Sequence, residues 1–382
     1  MKPKRILAVT ETLGIGGGAE QILVSLVQTL HSQNILIDIA CLQDWHHEIG
    51  NELEKLGVQI YKFHSKSKLQ MAWATLKIIL LLNRNSYDIV WGHLFFGNLV
   101  AATAAVFSRK AKSIITLHGA GYSILTGGRV SQRIYRRAEQ LTGYIATKIV
   151  AVSKSVATKY KTNYFWKDIS VVYNGVNIDE LKFVVADTNR GVVRERLQIA
   201  PDEIAICISA RFVTLKGHAD LIEALHLLRN RTQKKIKLIA PGEGPTKPTI
   251  QELVSKYSLD SIVLFLDPMP HIDLMKLVFS SDIVVIPSHH EGFGIAAAEA
   301  MGLGLPCVLT SVDGYLELVQ DSKTALLVPP KSPAELAEAI LFFLENREER
   351  EKTGAKAQRR IKENFSIEIC ANNWKELFNS IS

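Results

Sequence analysis

The chain has 382 residues, of which 47% are hydrophobic and 22% are charged, and its net charge is +7. This composition is ordinary for a soluble globular protein, and the sequence contains no low-complexity tract and no repeat of solenoid period. The two most apolar runs, residues 69–82 and 94–107, are shorter than the roughly 20 residues that a membrane-spanning helix needs. We therefore interpret both runs as buried helices.

The N-terminus is basic but lacks a long apolar run, so we do not expect a signal peptide there. The four cysteines lie far apart and form no CxxC pair, which excludes the usual zinc spacings and favours a reducing, cytoplasmic compartment. Residues 1–184 contain 22 Lys and Arg against 12 Asp and Glu, whereas residues 185–382 contain 23 against 26. This asymmetry indicates an anionic partner for the first half, and nucleic acid and anionic lipid are both open on charge alone.

Segments that resemble buried strands alternate with helical segments along the chain. The predicted strands of the first half are 5–10, 35–41, 88–91, 113–117, 148–152 and a short one from residue 170. After a polar junction, those of the second half are 204–210, 236–240, 262–266, 283–287, 306–310 and 325–328. Such alternation gives parallel sheets with helices on both faces. We predict two doubly wound α/β domains that face each other across a cleft, residues 1–184 and 185–365.

A glycine-rich loop, LGIGGGAE, follows the first predicted strand and precedes a helix. Gly16 and Gly17 would let backbone N–H groups approach a phosphate or a sugar. Residues 14–19 also fit the GxGxxA fingerprint of dinucleotide sites, but Asp38 lies at the start of the second strand instead of its end. A tight turn without a ligand is the alternative interpretation.

Two further groups lie at strand ends, where ligands of such sheets bind. His118 ends the strand IITLH and would donate a hydrogen bond to a sugar hydroxyl or a developing charge, although a lone histidine is more often structural. Arg211 and Lys216 follow the first strand of the second domain, where two cations would stabilise a leaving diphosphate. A solvated loop with surface charges is the alternative for this pair.

The most informative segment is PSHHEGFGIAAAEAMGLGLPCVLT, residues 287–310. A strand ends, a loop follows, and a helix begins near Gly294, where free N–H groups can hold a phosphate. Glu291 is placed to contact a sugar and Glu299, deeper in the helix, to bind a ribose diol. The interval of eight residues proves little by itself, because Glu195 and Glu203 show the same one. The surrounding glycines and helix start favour a binding site over a helix with incidental acids.

Two absences and one basic helix complete the sequence pattern. No Asp-x-Asp pair occurs, so no such carboxylate pair holds a metal, and no GxxxxGK[ST] motif of a P-loop ATPase occurs. The cations and the helix N-terminus would then neutralise a diphosphate. Residues 127–144 form a basic helix candidate that would lie on anionic lipid or hold an acidic acceptor. A solvated basic face explains this helix about as well.

Five segments together resemble the retaining glycosyltransferases of family 4, which have the GT-B fold. The segments are EGFGIAAAEAMGLGLP, ARFVTLKG, APGEGP, VYNGVN and the GGGAE loop, in family order. The resemblance implies two Rossmann-like domains, with the acceptor mainly on the first and the donor on the second. It also implies that the C-terminal helix, residues 366–382, crosses back to the N-terminal domain.

The resemblance also implies a role for each matching residue of the second domain. Arg211 and Lys216 would bind the donor diphosphate, and Glu291 would lie beside the transferred sugar. Glu299 would bind the ribose. The residues expected to offer backbone contacts are Phe293, Gly294 and Ile295.

Three further positions complete the implied site. Gly16 and Gly17 would approach the donor phosphate or the acceptor, and His118 would contact the sugar. Met269 would flank the base, although the sequence DPMP there departs from the usual glycine-bearing turn.

We therefore hypothesise a retaining, metal-independent glycosyltransferase that moves a hexose from a UDP- or GDP-sugar to a hydroxyl acceptor. The acceptor would be a lipid-linked or surface-polysaccharide intermediate, and the protein would lie in the cytoplasm or on the cytoplasmic face of the membrane. No cofactor, metal ion or nucleic acid is expected. The alternatives are a sugar-nucleotide epimerase or hydrolase of the same fold, a non-catalytic nucleotide-sugar sensor, and an NAD-dependent oxidoreductase that uses the glycine-rich loop.

Overall fold

A computed structural model of the protein describes residues 4–13, 18–119, 129–166, 168–319 and 323–381. The chain divides into two compact units. The first unit contains Met1–Gly175 and Ile367–Ser382, and the second contains Val176–Ser366. Gly16 and Gly17 lie outside the described residues, so their predicted roles are not addressed by the structure.

The first unit is built on a parallel sheet with the strand order β3-β2-β1-β4-β5-β6-β7. Its strands are β1 (Arg5–Thr10), β2 (Leu36–Cys41), β3 (Ile60–Lys62), β4 (Ile89–His93), β5 (Lys112–Leu117), β6 (Lys148–Ala151) and β7 (Ile169–Val171). Its helices are α1 (Gly18–Ser32), α2 (His47–Lys55), α3 (Lys68–Asn85), α4 (Leu94–Val106), α5 (Arg129–Ile145), α6 (Lys154–Tyr164) and, at the C-terminus, α16 (Ile367–Ser380).

The second unit has a parallel sheet with the order β10-β9-β8-β11-β12-β13. Its strands are β8 (Glu203–Cys207), β9 (Lys235–Pro241), β10 (Val263–Leu266), β11 (Ile283–Ile286), β12 (Cys307–Thr310) and β13 (Leu326–Val328). Its helices are α7 (Ile178–Asp187), α8 (Arg190–Arg196), α9 (His218–Leu228), α10 (Lys247–Lys256), α11 (His271–Phe279), α12 (Ile295–Gly302), α13 (Asp313–Leu318), α14 (Pro333–Glu345) and α15 (Arg347–Asn364).

Two doubly wound α/β units therefore confirm the predicted fold class. The central strands are mostly apolar because helices cover both faces of each sheet, and every residue of β11 is buried. Strand β3 was not predicted, since it has three residues and only Ile60 is buried. The polar segment interpreted as a junction contains α8, in which Arg190 and Arg194 bind Asp282.

The boundary between the two units lies nine residues earlier than predicted. Helix α7 belongs to the second unit, where it packs against α11 and α12. Helix α16 belongs to the first unit because its aromatic side chains enter the core there. The ring centroids of Trp374 and Phe378 lie 4.5 and 5.3 Å from that of Trp91, which is fully buried.

The prediction that both apolar runs form buried helices is correct for α4 and wrong for α3. Helix α4 is buried along most of its length, whereas α3 buries only a narrow face. The opposite side of α3 exposes an apolar stripe, with side chains spaced three or four residues apart. The stripe consists of Leu69, Trp73, Leu76 and Leu80. The sequence run is apolar on most sides of the helix, so the hydrophobic pattern alone does not reveal which face lacks a partner.

Candidate active site

The strand order of the second sheet creates a crevice at the carboxyl ends of two strands. Strands β8 and β11 are neighbours, and the chain leaves them in opposite directions along the sheet, towards β9 and β12. Ligands of open α/β sheets bind at such a switch point. The loop after β8 carries Arg211 and Lys216, and the loop after β11 carries Glu291.

Backbone contacts hold these two loops side by side. The His289 N–H donates a hydrogen bond to the Leu215 carbonyl oxygen over 2.8 Å. Gly217 closes the β8 loop with φ of +70°, and a Cβ atom there would lie 2.0 Å from the Pro287 carbonyl oxygen. Glycine alone fits both this conformation and this space.

The Lys216 ammonium group donates to Glu291 Oε1 over 2.5 Å. Glu291 Oε1 also accepts hydrogen bonds from Ser288 Oγ at 2.9 Å and from the Tyr315 hydroxyl at 3.2 Å. Burial, together with the charge of Glu291, raises the pKa of Tyr315 well above its usual value, so this hydroxyl remains a donor at neutral pH. All three donors bind the same oxygen, so the carboxylate of Glu291 is held in one orientation in the crevice.

Arg211 lies on the same loop as Lys216, and its side chain is exposed. No ion pair to a carboxylate is present for Arg211 within the described ranges. The two predicted cations therefore differ: Lys216 is paired with Glu291, whereas Arg211 is available to an anion from solution. A guanidinium group is well suited to bind two oxygens of a phosphate at once.

Helix α12 begins where the loop after β11 ends. Its N-cap is Gly294 with φ of +93°, and no side chain caps the helix. A Cβ atom on Gly294 would lie 2.3 Å from the ring of Tyr315, so this position also requires glycine. The Phe293 side chain is buried against Phe365, with ring centroids 5.5 Å apart, so this side chain is not available to a ligand. The uncapped first turn, which begins at Ile295, favours a bound anion.

Glu299 lies one turn further along α12 and binds a histidine that the sequence did not single out. Glu299 Oε1 is 2.8 Å from His271 Nε2, and His271 Nδ1 is 2.9 Å from Glu180 Oε1. Burial would lower the pKa of His271, but the hydrogen bonds and charges of the two glutamates outweigh it and raise this pKa to about 10. The imidazole is therefore a cation at neutral pH.

Met269 precedes α11 in the loop after β10. Its side chain is half-buried and packs against a hydrophobic cluster that includes Ile199 and Leu277. The neighbouring Asp267 is almost fully exposed, with its carboxylate 3.6 Å from Lys247 Nζ. The predicted contact of Met269 with a base stays a prediction.

His118 lies in the first unit and contacts a second histidine at the end of the adjacent strand. His118 Nε2 is 3.1 Å from His93 Nδ1. Burial lowers the pKa of His118 to about 4 and that of His93 well below its usual value, so both rings are neutral at neutral pH. Nδ1 of His118 and Nε2 of His93 have no hydrogen-bond partner in the part of the chain that the structure describes. Both atoms are buried, so a ligand does not reach them in this conformation.

A half-buried carboxyl group lies at the same edge of the first sheet. Glu11 follows β1, and its Oε1 accepts the backbone N–H of Phe96 over 2.6 Å. Burial raises the pKa of Glu11 above its usual value, although the backbone hydrogen bonds from α4 oppose this shift. Glu20 is close enough to raise it further and accepts the Thr12 hydroxyl over 2.7 Å.

The sequence pattern did not single out Glu11, His93, His271 or Tyr315. The first two end strands in the same way as His118, so strand ends offered a usable signal. Tyr315 and His271 lie on short helices, and nothing in their spacing indicates that they contact Glu291 and Glu299. Their contacts depend on strand order, which the pattern of elements does not give.

Among the residues that the structure describes, no three His, Cys, Asp or Glu side chains are grouped as metal ligands. No helix within the same ranges is both long enough and apolar enough to span a bilayer.

Two family models match the chain in succession. Residues 16–180 match the model for glycosyltransferase family 4, and residues 189–360 match the model for glycosyl transferases group 1. Together they cover nearly all of both units, and the second contains the crevice between the β8 and β11 loops.

Curated relatives and solved structures agree with these models. The chain is 24% identical to N-acetyl-alpha-D-glucosaminyl L-malate synthase of Bacillus anthracis, over 79% of this chain and 77% of the relative. It is 25% identical to the capsular polysaccharide biosynthesis glycosyltransferase CapM of Staphylococcus aureus, over 79% and 78%. The fold matches HepE of Anabaena in complex with UDP-glucose with a TM-score of 0.82 at 20% identity, over 98% and 99% of the two chains.

The order of the two models, the two parallel sheets and the named relatives all lead to one assignment. The chain belongs to the GT-B glycosyltransferases of family 4.

Proposed function

We propose that this glycosyltransferase transfers a hexose from a UDP- or GDP-sugar to a hydroxyl acceptor, with retention of the anomeric configuration and without a metal ion. The observation that carries the proposal is the Lys216–Glu291 contact at the switch point, beside the uncapped N-terminus of α12. Cations and helix N–H groups suit a diphosphate, and an oriented carboxylate suits a sugar hydroxyl. HepE, which shares the fold, binds UDP-glucose.

The reaction breaks the bond between the anomeric carbon and the diphosphate oxygen. The acceptor oxygen forms the new bond on the same face of the sugar, and the acceptor proton passes to the departing diphosphate. Arg211, Lys216 and the N-terminus of α12 stabilise the charge that develops on this leaving group. Glu291 binds the transferred sugar, Glu299 binds the ribose, and Met269 flanks the base.

A thermal-shift screen of UDP-, GDP- and ADP-sugars tests the donor assignment. A ligand that binds the native state raises the melting temperature, and ADP-sugars serve as the control class. We expect a UDP- or GDP-sugar to raise it and ADP-sugars to leave it unchanged. No shift with any UDP- or GDP-sugar contradicts the donor assignment. Product analysis then separates transfer from hydrolysis, which releases free sugar, and from epimerisation, which returns an altered nucleotide sugar.

Activity should not depend on a divalent cation. Arg211, Lys216 and the N-terminus of α12 supply positive charge where other sites use a metal. We expect equal rates of UDP or GDP release with and without EDTA, and no stimulation by Mn²⁺. Loss of activity in EDTA that Mn²⁺ restores contradicts the metal-free proposal.

The acceptor is proposed to be a lipid-linked or surface-polysaccharide intermediate, reached at an anionic membrane surface. CapM, a relative, is named for capsular polysaccharide biosynthesis. The exposed stripe of α3 supports membrane docking, because its flanks carry cations and residues 55–87 contain no Asp or Glu. Lys77 Nζ lies 5.5 Å from the ring centroid of Trp73 within this stripe. Apolar side chains with a tryptophan and lysines are typical of interfacial helices.

A second helix of the first unit presents a similar face. Helix α5 exposes apolar side chains, and both α3 and α5 pack against α4. The exposed apolar residues of α5 are Val130, Ile134, Leu141 and Tyr144. Arg133, Arg136 and Arg137 lie on the same helix, so a basic and an apolar surface occur together.

Vesicle flotation tests the docking surface. We expect the protein to float with vesicles that contain anionic lipid, and the triple variant L69S/W73S/L80S to bind at least about tenfold more weakly, since each side chain loses its burial in the membrane. The control is Phe342→Ser, which removes an exposed apolar side chain of the second unit. Equal flotation of the triple variant and the wild type contradicts this docking surface.

A further inference from the structure

His271 joins two carboxylates that come from different helices. It is the first residue of α11, and its ring lies between Glu180 on α7 and Glu299 on α12. The side chains of His271, Glu180 and Glu299 are 22%, 28% and 13% exposed, so the group is shielded from water but not sealed. The proposed reaction mechanism assigns no role to His271.

Two carboxylates, one beside each ring nitrogen, favour the protonated imidazole. A neutral imidazole has one N–H donor, whereas both ring nitrogens of His271 face a carboxylate oxygen. The two glutamates hold the pKa of His271 at about 10 against the effect of burial. His271 is therefore a fixed cation that satisfies one carboxylate on each side.

This contact fixes the orientation of Glu299. The histidine binds Oε1, and Oε2 of Glu299 has no hydrogen-bond partner within the ranges that the structure describes. Without the histidine, the carboxylate would rotate freely and repel Glu180, which lies on the other side of the ring. A carboxylate that is held in place by a second residue binds a ligand without the entropic cost of ordering it.

We propose that His271 is a positioning residue that orients Glu299 towards the ribose diol of the donor nucleotide. Glu180 in turn holds the imidazolium in place from α7. This inference rests on the proposed function, in which Glu299 binds the ribose. It predicts that His271 contributes to recognition of the ribose hydroxyls and not to contacts with the diphosphate.

The test compares ribonucleotides with deoxyribonucleotides. Binding of UDP and 2′-deoxy-UDP, and of GDP and 2′-deoxy-GDP, is measured by calorimetry for the wild type and for H271A, H271Q and E299A. The matched control is a second contact between α11 and α7 that does not involve Glu299. Lys276 Nζ of α11 lies 2.5 Å from Asp187 Oδ2 of α7. Lys276→Ala therefore loosens the same pair of helices without touching Glu299.

We expect the wild type to bind the ribonucleotide more tightly than the deoxyribonucleotide. We expect H271A to bind the ribonucleotide about tenfold more weakly than the wild type does, which is the loss of affinity that corresponds to one hydrogen bond to a charged group. H271A should bind the deoxyribonucleotide as the wild type does, so the preference disappears. H271Q should restore part of it, because the amide donates one hydrogen bond to Glu299. K276A should keep the full preference for the ribonucleotide. If H271A does not fold, H271Q is used to test the role of His271.

The outcomes separate this inference from the function on which it rests. If neither UDP nor GDP binds the wild type, the proposed donor is wrong. If E299A keeps the wild-type preference for the ribonucleotide, the ribose role of Glu299 is wrong and the inference fails with it. If E299A loses the preference while H271A and H271Q retain it fully, the role of His271 alone is overturned. Equal loss in K276A assigns the effect to helix packing and also overturns it.

Discussion

Replacement of Lys216 by alanine is expected to lower kcat/KM for the donor by about 100- to 1,000-fold, the loss seen when one preorganised donor to a developing charge is removed. Lys216 lies beside the carboxyl ends of β8 and β11 and is the cation that directly contacts Glu291. Its removal takes positive charge from the leaving diphosphate and one of three donors from Glu291. The measurement is the rate of UDP or GDP release from the donor that the thermal-shift screen identifies.

The stability of K216A should change little, because Ser288 and Tyr315 still bind Glu291. The matched control is Lys235→Ala. Lys235 is an exposed cation at the opposite end of the same sheet, where it starts β9 and pairs with Asp202. K235A should have wild-type kinetics. A wild-type kcat/KM in K216A would remove Lys216 from the diphosphate site.

Replacement of Gly217 by alanine is expected to destabilise the second unit by about 3 kcal/mol or more, from a strained backbone and an overpacked contact together. The glycine has φ of +70°, and its added Cβ atom would lie 2.0 Å from the Pro287 carbonyl oxygen. A backbone atom does not move aside as a flexible side chain does, so the two loops must separate. Unfolding in urea measures the stability, and donor turnover measures the effect on the neighbouring Lys216.

Gly57→Ala is the control that isolates backbone strain from crowding. Gly57 has φ of +87°, but nothing lies within 4 Å of the position that its Cβ atom would take. We expect G57A to cost only about 1–2 kcal/mol, the penalty of the left-handed conformation, and to keep donor turnover. If G217A costs no more than G57A, the close approach of the two loops does not constrain the site.

The predicted site residues that the structure describes fall into four groups. Lys216 and Glu291 make direct contact, although 75 residues separate them. Four others, Arg211 and the residues 293–295, lie on the same two loops or at the helix start that follows them. Glu299 and Met269 lie further from this contact, and the functional roles of all these residues stay predictions. His118 lies in the other unit, beside His93.

The sequence by itself determined the fold class and the family. Strands buried on both faces are mostly apolar, and their alternation with helices indicates parallel sheets. Glycines with positive φ, such as Gly217 and Gly294, mark the loops because no other residue fits there without strain. The start of helix α12 could be predicted for the same reason, because Gly294 precedes it.

Which side chains share a site, and which surfaces lack a partner, could not be predicted without the three-dimensional structure. Strand order places the end of β8 beside the end of β11, and so brings Lys216 to Glu291. The packing of α7, α11 and α12 brings Glu180, His271 and Glu299 together, and the exposed side of α3 depends on what α4 covers. Local sequence patterns indicate how each segment folds. These contacts, however, join segments that are distant in the chain. The free energy of such contacts depends on the topology of the fold, which no local pattern contains.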